Sequence, residues 1–270
     1  PPAPPLPRRA GCPTVMGRSH AATGLAAGAA TLPLLGTPDV PTALAWVAAC
    51  GGAALLPDFD QGGVSWRDRR FLVAPTGSTV VTMWGWLSWA AAKLVGRLAG
   101  GHRWGTHDPL LAPAAVALLA WAAAQSTWSG AVVLALTAGA ALHALAPFIP
   151  GRLENTVVGN VALSWGAAWW LTWRADVHLG WLPGALALGV AVHIAGDALT
   201  RGGVPWPGAT ALALLRPRAR RRRWSLSLFR TGHPSWEVPI TAVATVAAVV
   251  LLVRATPLGA TAGQWLSAAP

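Results

Sequence analysis

Four segments of this chain carry histidines and carboxylates at spacings that suit a metal ion, each at the margin of an apolar run. HIAGDALT places His193 and Asp197 four residues apart, which on a helix sets them one turn apart on one face. An imidazole and a carboxylate in that register can share a cation, or one can orient the other through a buried hydrogen bond. GHRWGTHDPL supplies His102 and His107. Arg103 lies between them, a planar fork able to grip a phosphate or carboxylate, or equally a cytoplasmic anchor. LLPDFDQGG supplies Asp58 and Asp60, alternate carboxylates that can flank one ion or bridge two, or simply form a polar loop. His20 opens the first apolar run, as a ligand or an interfacial histidine. FRTGHPSWE adds His233 and Glu237, the latter a candidate ligand, general base or partner of the arginines. Oxygen and imidazole ligands together suit Zn²⁺, Mn²⁺ or Fe. An ionisable group at membrane depth costs several kcal/mol unless paired or metal-bound, so each is a functional hypothesis.

The elements that must position these groups are apolar helices. Hydrophobic residues make up 54% of the chain and charged residues 11%, too apolar for an ordinary soluble domain. The apolar residues come in blocks, near 21–36, 42–56, 109–124, 131–149, 157–173, 182–199 and 238–253. That pattern predicts an all-α, polytopic integral membrane bundle of about seven spans. The mixed stretch Ser78–Leu98, with Lys93 and Arg97, is expected to be interfacial or re-entrant. Counting crossings on that basis brings His20, Asp58, Asp60, His102, His107, His193 and Asp197 to one face. Of the 20 Lys and Arg residues, all but Arg174 and Arg254 then fall on that same side, which makes it cytoplasmic.

The net charge of +11 therefore reads as cytoplasmic loops meeting anionic lipid, and no stacking or groove-reading motif accompanies it, so nucleic acid is not an expected partner. Cys12 and Cys50 are isolated and form neither a CxxC site nor a disulfide framework. His143 is expected to pack in the core and His178 to sit in a solvated loop on the far side. Residues 1–15 read as a disordered Pro-rich tail or a truncated start, 16–256 as one membrane-embedded domain carrying the candidate metal ligands, and 257–270 as a C-terminal tail.

Taken in order, HAATGLAAG, LLPDFD, HRWGTH, HIAGDALTRGGVPW and FRTGHPSWE resemble the bacterial inner-membrane metal-dependent hydrolase family typified by YdjM, over about residues 16–250. Serine commonly follows the second histidine of HRxxTH in that family, where this chain has Asp108. The resemblance implies a multi-pass inner-membrane protein with a metal-hydrolase site. The expectation is one or two divalent ions, zinc first, held by His20, Asp58, Asp60, His102, His107, His193 and Asp197. Metal-activated water would attack a lipid phosphoester at the cytoplasmic face, with Arg103 stabilising charge and Asp108 or Glu237 as general base. The alternatives are a transporter or metal-handling protein whose His and Asp residues line a pathway, and an inert membrane scaffold.

Overall fold

A computed structural model describes residues 16–60, 83–100, 102–146, 156–215, 223–229 and 233–257. Within these lie nine α-helices: α1 (Met16–Thr31), α2 (Val40–Ala53), α3 (Trp86–Leu98), α4 (Leu111–Ala124), α5 (Thr127–Leu145), α6 (Val157–Trp169), α7 (Leu182–Leu199), α8 (Ala209–Leu215) and α9 (Pro234–Ala255). The expected tail 1–15, most of the tail 257–270, Ser78–Thr82, and the arginines at 67, 69, 70, 152, 216, 218, 220–222 and 230 lie outside the described residues. One addition to the all-helical expectation is a short antiparallel ladder of β1 (Val204–Pro205) and β2 (Arg223–Trp224), pairing Val204 with Trp224.

Helix α2 is the axis of the bundle and packs against α1, α5 and α7. It starts where Asp39 accepts a hydrogen bond from the Thr42 amide at 2.8 Å, the usual role of an N-cap carboxylate. Its far half is small, and buried Ala49, Cys50 and Ala53 let neighbouring backbones come close. Two glycines show how tightly. A side chain at Gly52 would run into the Thr137 backbone of α5, and one at Gly189 of α7 into the Cys50 carbonyl of α2. The Gly189 approach positions the site, because His193 lies one turn further along α7. Its Nδ1–H donates at 2.7 Å to the carbonyl of Ala54, which α2 leaves unpaired as it ends.

Among the described residues, four stretches are long and apolar enough to cross a membrane: Val40–Asp60, Thr127–Leu145, Leu179–Leu199 and Ser235–Ala255. The expected count of seven is not reached on that measure. Helices α1, α4 and α6 have 16, 14 and 13 residues, against the ~20 that a perpendicular span prefers. Helix α3 has 13 residues, about 20 Å of helix. It exposes Trp86, Leu87, Leu94 and Leu98, while Lys93 sits 4.3 Å over the Trp89 ring. The π-helical turn Trp170–Arg174 follows α6 directly, and His178 beyond it is exposed, as expected of a loop residue. His143, expected in the core, is partly buried in the last turn of α5.

Candidate metal centre

Three local devices deliver the polar side chains. Beyond α2, Pro57 tightens the chain into a 3-10 turn, Leu56–Asp60, in which Asp58 and Asp60 alternate with Pro57 and Phe59 and all four are buried. After α3 the segment His102–His107 folds back on this turn, with Gly105 against the backbone of Ala99. Helix α7 then presents His193 and Asp197 one turn apart, and α1 lays His20 on top. The His20 and His193 rings stack with centroids 4.0 Å apart.

The result is one continuous cluster. His107 and His193 approach Nε2 to Nε2 at 3.2 Å, and Asp197 lies 3.6 Å from the first and 3.9 Å from the second. His20 Nε2 is 3.7 Å from the other Asp197 oxygen, and Asp58 is 4.0 Å from His107 Nε2. Among the described residues, two groups have ligand atoms that all lie within 4.8 Å of one another: His20, His193 and Asp197, and Asp58, His102 and His107.

Tautomers follow from the partners. His193 gives its Nδ1 hydrogen to the Ala54 carbonyl, which leaves Nε2 a bare lone pair. The Thr106 hydroxyl donates to Asp60 at 2.5 Å and so accepts from His107 Nδ1 at 3.0 Å, which bares His107 Nε2 as well. Two lone pairs facing each other at 3.2 Å repel unless a positive charge sits close to both. Two imidazoles on one tetrahedral zinc, with Zn–N bonds near 2.0–2.1 Å, put their nitrogens about 3.4 Å apart. The donor set therefore fits a divalent ion.

Asp60 occupies a different position from the one its sequence suggested. One oxygen is 2.6 Å from His102 Nδ1; the other takes the Arg103 amide at 3.0 Å and the Thr106 hydroxyl. It stands behind the two histidines and orients them, as carboxylates commonly do at metal sites. Arg103 holds this turn at a cost, with φ at +62° in the left-handed region that non-glycine residues rarely adopt. That twist points its amide at Asp60 and its guanidinium at Asp197, 3.3 Å away, and at the Gly203 carbonyl. Gly202 makes room, since a side chain there would collide with the guanidinium.

Asp108 is not brought into the cluster. Its oxygens accept from the amides of Leu110 and Leu111, which open α4, and of Gly208 and Thr210, which open α8. Burial alone would raise its pKa, but these four donors hold the carboxyl below the usual carboxylate range. Asp108, one of the two residues expected as general base, thus has its carboxyl engaged at the starts of α4 and α8. Glu237 lies on the wall of a cavity of about 140 Å³ that His20, Asp197, Ser19 and Thr23 also line. His233 is exposed and bonds Ser235 at the start of α9. Thr106, Gly189 and the Ala54 carbonyl were not singled out from sequence. Of these only Thr106 left a signal, as the threonine within HRWGTH.

Fold and site together define a helical membrane protein with a buried His/Asp centre able to hold metal. Residues 15–147 match the family model of the YdjM inner membrane protein. The match includes His20, Asp58, Asp60, His102, Arg103 and His107, and stops short of His193, Asp197 and Glu237, whereas the resemblance had been read to about residue 250. No curated protein and no solved structure matches the chain.

Proposed function

We propose that this protein is a metal-dependent hydrolase of the bacterial inner membrane, acting at the cytoplasmic face on a phosphoester carried by a lipid. The observation that carries the reading is the pair of bare Nε2 atoms of His107 and His193, 3.2 Å apart with Asp197 beside them. His20, His193 and Asp197 would hold one ion; Asp58, His102 and His107 would hold a second or share the first. A divalent ion there supplies Lewis acidity to a phosphoryl oxygen and makes water acidic enough to yield a nucleophile near neutral pH. Asp60 and Thr106 keep His107 in the tautomer with Nε2 bare, and Ala54 does the same for His193. Arg103, now paired with Asp197 at 3.3 Å, would exchange it for a substrate phosphoryl oxygen. Glu237, which lines the small cavity with His20 and Asp197, would accept the proton of attacking water.

In this reading the bundle crosses seven times, α3 lies along the interface, and the cluster faces the cytoplasm. Transport is the weaker reading because the His and Asp side chains gather in one cluster, whereas a permeation route needs them strung through the membrane depth. The test is elemental analysis of purified protein beside a His193→Ala/Asp197→Ala double variant. Stoichiometric metal in the first and its loss in the second is the expected result. A well-folded but metal-free wild-type protein would overturn the proposal.

A further inference from the structure

A cavity of about 560 Å³ opens on the other side of the cluster, between α3, α4, α5 and α7. Its volume lies within the ~300–1,000 Å³ of ligand pockets. Among the described residues that line it none is charged, and the one polar side chain is Thr106. Thr106 is the group that bonds both Asp60 and His107. The lining therefore runs from a wholly apolar body to one polar end, and that end touches the candidate metal centre. Pro57 and Phe59, which alternate with Asp58 and Asp60 along the 3-10 turn, belong to the same wall. The mouth lies among Leu98 of α3 and Leu111 and Leu119 of α4, all exposed and continuous with exposed Leu94, Leu110 and Leu118. In a membrane protein such a face is covered by hydrocarbon, so the mouth is open to the bilayer.

We infer that this cavity holds the hydrocarbon chain of a membrane phospholipid, with the polar end of the lipid at the Asp58–His102–His107 group. A water-soluble ligand has no polar partner along the walls, and burying its polar groups there would go uncompensated. A hydrocarbon chain needs none, and it reaches the mouth without leaving the bilayer. The inference rests on the hydrolase reading only for what happens at the polar end.

The test reconstitutes the full chain in phosphatidylethanolamine vesicles carrying a trace of phosphatidylglycerol with a diazirine near the end of one acyl chain. Irradiation should place adducts on residues 91–99, 111–120 and 133–136. Ala115→Trp, which fills the cavity, should cut those adducts about fivefold or more. Ala114→Trp, also exposed but off the cavity wall, should not, and metal content should be the same in both. Leu119→Trp at the mouth serves the same purpose should Ala115→Trp fail to fold. Adducts equally dense on exposed Val243 and Val246 of α9, or unchanged by either cavity variant, would overturn the inference. So would protein–protein products showing a second copy seated on the mouth. Metal-free protein that still labels in the cavity would break the hydrolase reading and leave this one standing.

Discussion

His107 and Asp108 are neighbours in sequence and both fully buried, yet their surroundings differ in kind. Asp108 is saturated. Four backbone amides from two helix starts converge on its two oxygens, the arrangement that satisfies orphan donors at helix N-termini. His107 is satisfied on one side only: its Nδ1 faces Thr106 and Asp60, while its Nε2 faces another bare nitrogen and two carboxylates. Burial of an ionisable group therefore does not by itself mark chemistry. What marks it is a donor or acceptor that the protein has oriented and then not used.

Replacing each neighbour should separate the two. His107→Ala should give the largest effect, lowering metal affinity by more than about 100-fold, beyond the roughly 10–100-fold typical of outer-layer changes. Competition against a calibrated chelator would measure it, and unchanged metal would remove His107 from the ligand set. Asp108→Ala strands four amides and should destabilise the fold by about 4 kcal/mol, since hydrogen bonds to charged groups contribute ~1.5–3 kcal/mol each and are not additive. Thermal unfolding in detergent, followed by tryptophan fluorescence, would show this, while metal per folded molecule stays level. An Asp108→Ala protein of normal stability that had lost its metal would reverse the comparison. Thr106→Val sits between the two, removing only the hydroxyl that links Asp60 to His107. It should lower metal affinity by about tenfold with little change in unfolding temperature. A change in stability without a change in affinity would assign Thr106 to Asp108's side of the comparison.

The sequence made some of this legible and hid the rest. Residue types and margins pointed to His20, DFD, HRWGTH and HIAGD, because ionisable groups stand out against apolar helices. The four-residue spacing of His193 and Asp197 became a shared helix face directly. The division of labour within motifs was not readable. Asp58 and Asp60 are equivalent on paper, and only the fold of HRWGTH onto the turn gives Asp60 its three donors. Asp108 looked available because its partners at Gly208 and Thr210 lie about a hundred residues away. The span count stays unconfirmed for a different reason: an apolar block records burial as readily as lipid, and α1, α4 and α6 have 16, 14 and 13 residues against the ~20 of a perpendicular span.

Asp39 extends the comparison to a carboxylate that does Asp108's work in water. It caps α2 outside the apolar span, and Thr42, through its side chain and its amide, holds the Asp39 carboxyl below its usual range. A depressed folded-state pKa means that the capping stability is present above the unfolded value, near 3.9, and is lost as pH falls through the lower folded value. Wild-type unfolding temperature, compared with that of Asp39→Ala, should therefore show a small gap at pH 6 that closes below about pH 4. That gap corresponds to about 1 kcal/mol or less, since the site is exposed and screened. The buried cap at Asp108 should outweigh this exposed one severalfold in the same assay. Equal effects would mean that the interior of the bundle is wet enough to solvate the amides that Asp108 now serves.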